Sequence, residues 1–474
     1  MQRHVLRATL ALFIAYLFGC ATTPAPVQTR IFYSDDGISE LSAPTTWSPR
    51  ANFGKSATLR ITDGGQDSYL LLISYLPQEI KPTTLPTFAQ RLTTALRDNL
   101  SKGQMSEPRQ LTINGYPAVE YEVAGFVGDA RLVYLSTVLE GKRATYHHLI
   151  TWTSAESYSA NRGTMREIVA SFRESAAPRR AKARTNLTFN WPKQAKAKIE
   201  FYSKESKRGD LFEIRGQGVT TVRPLGKERL LVSTKVTGHK MTSNAKDKAK
   251  TNYLQNLLKE AMTGVPDYVV STEGDFIKIE NLPAYHQRIE QAIVKGLPGG
   301  KREAQEKAQQ LVKSLLSEQM LAAMIQDEWE GAIGNWAGGS FVLGQTYQFA
   351  SQYQSPALGN QVFPMSVTQK LTGSVPCQSG GKANSCVRLE QTSHVADPSF
   401  TNATNQFVRK TVGGSIVVDN VDVVKTVVVI TDPKTMLPYD VHVTETKNVV
   451  VSADGKSQTS QEVQESRTVY AYSK

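Results

Sequence analysis

Val417-Val418-Asp419-Asn420-Val421-Asp422-Val423-Val424-Lys425-Thr426-Val427-Val428-Val429-Ile430 is dense in β-branched residues. Such side chains suit a pleated, half-buried surface and lose rotamer freedom in a helix. Asp432-Pro433-Lys434 then signals a turn, an alternating run fills 439–451, Ala453-Asp454-Gly455-Lys456 turns again, and a last run fills 457–472. Working toward the N-terminus, runs of the same kind occupy 344–354, 361–373 and 384–395, beginning after Gly338-Gly339. Before those glycines the pattern is helical from about 247 to 337, with Leu311, Leu315, Met320, Met324, Trp329 and Trp336 on apolar faces. A short hairpin, Asp267 to Glu280, interrupts it at Glu273-Gly274-Asp275. Three further strand runs, 187–204, 211–223 and 228–240, lead in. The spacing predicts one long, curved antiparallel sheet over 185–474, of about nine strands, with a helical insertion after the third and helices against one face.

The 474 residues suffice for two or three domains. A basic, proline-containing segment without large apolar residues, 176–184, is read as the linker. Ahead of it, 31–175 forms a first α+β domain. Asp35-Asp36-Gly37 is a turn. Runs at 57–62 and 69–76 read as strands, and Phe88, Leu92, Leu96 and Leu100 share one helix face. Asn114-Gly115 joins two strands, and further strands follow at 130–139 and 143–152. A closing helix holds Tyr158, Met165, Ile168, Val169 and Phe172. The order is strands, helix, four strands, helix. With 40% hydrophobic and 21% charged residues, the chain is neither disordered nor a polytopic membrane protein.

Residues 1–19 are read as a leader. Arg3 and Arg7 precede an apolar run of about eleven residues, too short to span a bilayer as a helix. Leu17-Phe18-Gly19-Cys20 resembles the lipobox of bacterial lipoproteins. The resemblance implies that Cys20 becomes the acylated first residue, with residues 20–30 as a tether. Ala21 is not the aspartate that the family uses for inner-membrane retention, so an outer-membrane anchor facing the periplasm is expected. Several acyl chains hold a protein at a bilayer where one does so only marginally. Losing Arg3 and Arg7 leaves 53 basic against 43 acidic residues, a net charge of +10. That excess suits an anionic envelope surface and equally an ordinary solvated surface; no motif points to nucleic acid.

Asp35-Asp36-Gly37-Ile38, Trp47, Asn114-Gly115-Tyr116-Pro117-Ala118 and Ile168-Val169-Ala170-Ser171-Phe172 resemble the PsbP-like fold. The likeness implies an α/β/α sandwich around an antiparallel sheet, with no shared reaction. In the second domain, Asp432-Pro433-Lys434-Thr435-Met436-Leu437-Pro438 between two strands is similar to LolA-like and LppX-like lipid-binding half-barrels. That likeness implies an apolar ligand sheltered between sheet and helices.

Cys377 and Cys386 flank a hairpin loop. With Cys20 acylated they are the two thiols left in an oxidising compartment, and we pair them as a disulfide. The histidines His4, His147, His148, His239, His286, His394 and His442 show no metal spacing; His147 and His148 point to opposite faces of a strand. No nucleophile elbow, phosphate loop or dinucleotide fingerprint occurs. Gly216-Gln217-Gly218 reads as a bend in a strand. Asp327 and Glu328 diverge on a helix and are read as a solvated face. Ile325, Trp329, Ile333 and Trp336 share a helix face, and they suit a core or the wall of an apolar cavity. Three readings stay open. One is a non-catalytic binding module for an apolar ligand, a lipid or an envelope partner; the others are a ligand-free structural or assembly lipoprotein, and an enzyme whose groups meet only in the fold. No cofactor, catalytic residue or metal is expected.

Overall fold

Polar–apolar alternation, with turns at each reversal, builds two large antiparallel sheets, and two small ones accompany them. The computed structural model describes residues 28–472, apart from 51–55, 64, 66, 144–145, 177–182, 208–209, 245–247, 296–316, 356–357, 359–360, 379–384, 412–415 and 454–455. The expected leader, Cys20, most of the tether, the middle of the linker and the Leu311–Leu315 helix face lie outside the described residues.

The first domain runs β1 (Thr29–Tyr33), β2 (Ser39–Pro44), β3 (Ser48–Pro49), β4 (Leu59–Asp63), β5 (Ser68–Tyr75), α1 (Leu85–Asp98), β6 (Ser101–Met105), β7 (Arg109–Ile113), β8 (Tyr116–Val127), β9 (Ala130–Glu140), β10 (Tyr146–Ser154), α2 (Tyr158–Ala170) and β11 (Arg173–Glu174). Its main sheet has the order β3-β4-β5-β10-β9-β8-β6, with β7 also on β8, and β1-β2-β11 form a small second sheet. Phe88 and Ala89 of α1 pack with Val119 and Val138. Ile168 and Val169 of α2 pack in the cluster that holds Ala118 and Leu139. Neighbouring strand residues point to opposite faces, so the helices sit on opposite sides and the layers are α/β/α. One strand more than expected follows α1. Ser101–Met105 is too polar to show alternation, and pairing with β8 fixes it. Asn114 and Gly115 both take positive φ, 49° and 83°, as a two-residue hairpin turn requires. The Asn114 side chain also donates to the carbonyls of Ala170 (2.9 Å) and Phe172 (2.8 Å), tying that turn to the end of α2.

The second domain runs β12 (Arg184–Asn186), β13 (Ala195–Lys207), β14 (Asp210–Pro224), β15 (Arg229–Ser243), α3 (Lys248–Met262), β16 (Tyr268–Ser271), β17 (Phe276–Ile279), α4 (Leu282–Lys295), α5 (Glu318–Trp329), β18 (Ser340–Val342), β19 (Thr346–Ser355), β20 (Gln361–Val375), β21 (Cys386–Val395), α6 (Pro398–Thr411), β22 (Ile416–Thr431), β23 (Pro438–Ala453) and β24 (Lys456–Tyr472). The large sheet has eleven strands, ordered β17-β16-β15-β14-β13-β24-β23-β22-β21-β20-β19. It exceeds the expected nine because the inserted hairpin, β16–β17, joins its edge. The stretch 187–194 is not strand; β13 starts only at Ala195, after Trp191-Pro192. Helix α6 is missing from the sequence reading, although Phe400, Ala403 and Val408 recur at helical spacing and its start carries a cap: Asp397 accepts from the Ser399 backbone N–H at 2.7 Å, and Pro398 follows it. The Gly216–Gly218 bend is a β-bulge, with the register shifting between Gln217 and Gly218. A Cβ on Gly218 would stand 2.6 Å from the Lys235 carbonyl oxygen.

The two sheets meet at their edges. β19 lies beside β3, where the Ser48 hydroxyl donates to the Gln348 carbonyl and the Arg50 guanidinium stacks 4.3 Å over the Phe349 ring. Arg184 reaches back to Asp35 and to the Ser340 carbonyl, and Arg60 stands 3.7 Å from the same Asp35. Both edges are thereby shielded from pairing with other chains.

Cys377 and Cys386 are bonded, S–S 2.07 Å, across the β20–β21 loop. Closing a loop of about ten residues contributes roughly 2.5 kcal/mol in the chain-entropy account. The Cys377→Ser/Cys386→Ser double variant is expected to lose about that much stability, read from urea unfolding of the oxidised protein and the variant.

Candidate functional site

Trp329 ends α5, Ile333 lies in the π turn Glu330–Gly334 that follows it, and Trp336 lies in the turn just beyond. They retain 4%, 1% and 0% exposure and pack against Val427 and Val429 of β22. Each indole N–H is satisfied: Trp329 donates to the Gly274 carbonyl (2.9 Å) and Trp336 to that of Gly331 (3.0 Å). Phe189, Trp191 and Tyr268 stack around Trp329 at 5.4–6.0 Å. At these positions the space between helix and sheet is filled with side chains. Ile325, one turn earlier, is half-buried.

Immediately beside this cluster the side chains are only partly buried. Tyr268 on β16 and Tyr470 and Tyr472 on β24 are half-buried. Tyr470 and Tyr472 lie 6.4 Å apart, ring centre to ring centre. Glu328 stands among them: its charge acts on Tyr268, Tyr285 and Tyr470. Asp327, its neighbour, turns away and bonds to Lys425. The side chain of Glu328 is accessible to solvent, yet burial pushes its carboxyl pKa up, Lys425 opposing and Asp327 assisting. Both hold for a carboxyl in a recess: water reaches it, but protein replaces most of its surrounding solvent. Burial likewise pushes the three tyrosines up. Among the described residues, neither these three hydroxyls nor the Glu328 carboxylate makes a hydrogen bond or ion pair. This corner therefore combines aromatic side chains with uncommitted polar ends, a chemistry that suits an apolar body with a hydrogen-bonding head. Reading Asp327 and Glu328 as one solvated face missed this. Their divergence was legible, but the tyrosines come from strands about 60 residues before and 140 after Glu328.

Two other places were tested as sites. The cleft between the domains has a volume of about 600 Å³ and is lined in part by Arg30, Asp63, His394 and Asp397. Its polar groups serve the fold: Arg30 binds the Trp47 carbonyl, Asp63 accepts from Thr46 (2.8 Å), His394 meets Asp422 (2.6 Å) and Asp397 caps α6. In the first domain the fold brings together a hydroxyl, an imidazole and a carboxylate. His147 Nδ1 lies 3.1 Å from Ser74 Oγ, and its Nε2 lies 3.0 Å from Glu174 Oε1. The ring has 0% exposure, and Glu174 also accepts from the backbone N–H of Lys142 and Arg143. This network ties β11 to the sheet. His148 points to the other face, 2.8 Å from Ser136 Oγ. Among the described residues no group of three or more potential metal ligands occurs, and no helix is long and apolar enough to cross a membrane.

No protein-family model matches the chain, and no curated protein matches its sequence. The structural likenesses are loose. The solution structure of cyanobacterial PsbP (CyanoP) from Synechocystis sp. PCC 6803 is 14% identical, with 34% of this chain and 99% of that one covered and a TM-score of 0.27. A protein of unknown function from Pseudomonas aeruginosa, described as a putative regulator, is 12% identical over 32% of this chain and 98% of its own, with a TM-score of 0.21. Lipovitellin is 9% identical over 60% of this chain, which spans only 25% of the lipovitellin chain, with a TM-score of 0.27. The chain thus has a PsbP-like and a lipovitellin-like neighbour, at scores that carry no functional weight.

Burial holds His148 down to about 3 and lowers His147 against the pull of Glu174. A histidine whose folded pKa lies below its unfolded value of about 6.5 contributes fully above about pH 6.5, and that contribution is lost as pH falls below it. For His148 the loss runs at up to about 1.4 kcal/mol per pH unit. The His148→Gln variant is expected to flatten urea-derived stability between about pH 4 and 6.5; an unchanged slope there would contradict the assignment.

Proposed function

We propose that the chain is a membrane-anchored envelope lipoprotein acting as a non-catalytic binding module. Its second domain holds an apolar or amphiphilic ligand in the recess between α5 and the inner face of the sheet. The supporting observation is the set of uncommitted polar ends, Glu328 with Tyr268, Tyr470 and Tyr472, beside a packed aromatic wall. A carboxyl raised by burial takes a neutral or cationic head more readily than an anionic one. A second reading is a ligand-free assembly lipoprotein, and the filled Trp329–Trp336 cluster favours it.

The two readings separate on protein purified natively from membranes. Mass spectrometry of its organic extract is expected to recover one amphiphile near stoichiometry, and Tyr268→Ala/Tyr470→Ala to lower that occupancy about tenfold, a loss of about 1.4 kcal/mol. Repeated recovery of a protein partner with no small molecule would establish the assembly reading instead.

A further inference from the structure

Over β13–β15 and β24 the outward face of the large sheet carries a cluster of basic side chains that the inner face of the same strands does not. Cross-strand partners share a face. Register therefore places Lys198 with Val219 and Lys235, and Tyr202 with Arg215, Lys240 and Arg467. The intervening residues Ala197, Ile199, Val222 and Val232 point inward and are buried. The bulge at Gln217–Gly218 inserts Thr237 and turns Lys235 and Lys240, five apart, to the same side. All four of Lys196, Lys198, Lys235 and Lys240 are exposed. Arg215 is held by Glu213 (2.5 Å) and Arg467 by Asp440 (2.6 Å). Among the described residues Lys198, Lys235 and Lys240 make no ion pair. An open trough of about 690 Å³ lies beside these lysines, lined by Glu200, Tyr202, Arg215, Lys240, Arg467 and the exposed Val469.

We propose that this face, carried by β13–β15 and β24, docks on an anionic phospholipid bilayer. Unpaired lysines meet phosphate-bearing head groups, while Tyr202 and Val469 supply the amphipathic contact that an interfacial surface favours. The choice of a bilayer over another polyanion rests on the envelope reading above. The face is opposite the recess, so a docked molecule presents α5 and the Glu328 pocket away from the lipid, toward a soluble ligand or partner. The acyl anchor supplies residence at the membrane; the basic face supplies orientation.

The test uses the full mature chain carrying Cys20→Ser, so that no acyl group contributes. Sedimentation with phosphatidylglycerol–phosphatidylethanolamine vesicles is expected to pull the protein down, with phosphatidylcholine vesicles failing to do so and added salt weakening the binding. Lys198→Glu/Lys235→Glu/Lys240→Glu is expected to bind at least about tenfold more weakly. Lys81→Glu/Arg131→Glu/Lys259→Glu, with the same change in net charge, is expected to keep most of the affinity. Equal losses in both triple variants would reduce the effect to net charge and overturn the proposal. So would equal binding to neutral vesicles, or preference for duplex DNA over the anionic vesicles. Vesicle binding does not involve the recess, so its failure leaves the ligand reading standing, and recovery of a ligand leaves this one untouched.

Discussion

An eleven-stranded sheet with an apolar inner face must be covered, and in the second domain two segments share that work, α6 over Val418, Val421 and Val423 and the end of α5 over Val427 and Val429. Helix α5 and its π turn press Trp329, Ile333 and Trp336 onto Val427 and Val429, while Phe341, Leu371 and Leu389 close the same cluster. Large aromatic side chains bury about 150–250 Å² each and dominate the energetics of a core. The extra residue of the π turn sets where the cover ends. Beyond it the inner face is lined by tyrosines, and the carboxyl of Glu328 looks into the opening. Stability and the recess are thus two consequences of the same placement: the wall is rigid because the neighbouring residues are packed.

The two faces of the sheet are used differently. Inward residues are mostly Val, Leu, Ile and aromatic, with Gln369, Gln391 and Lys425 among them; outward ones carry cross-strand charge pairs such as Arg467–Asp440 and His442–Glu465. Exposed pairs of this kind add little stability. They keep a wide, flat surface wetted and unsuited to stacking on another sheet. The edges are handled separately: the first domain shields β19 through β3, and α5 lies against β17. The first domain accordingly serves as an edge cover as well as a folded unit with its own core.

Much of this architecture was legible from the sequence. Long β-branched alternation around Val417–Ile430, Asn114-Gly115 and the Gly216–Gly218 bend each have a local physical cause, and each appears where that cause acts. What stayed hidden is what the chain cannot signal locally. Ser101–Met105 has no alternation because pairing with β8, not burial, makes it a strand. Helix α6 was announced by Asp397-Pro398, but its core contacts come from one face of a polar sequence. The spacing of Trp329, Ile333 and Trp336 suited a core more often than a cavity wall, and burial places them in the core. Glu328 could be located on its helix but not given surroundings, because Tyr268, Tyr470 and Tyr472 reach it only after the sheet closes.

The central claim is that the α5 aromatic cluster is the cover on which the second sheet depends. Hydrogen–deuterium exchange of the full chain with and without Trp336→Ala tests it most directly. The account predicts lost protection across β20–β22 and the α5 segment, with β8–β10 of the first domain unchanged, as expected for a large-to-small core substitution costing about 3–5 kcal/mol. Unchanged protection in β20–β22 would contradict it, because the inner face would then be sealed by something other than this helix.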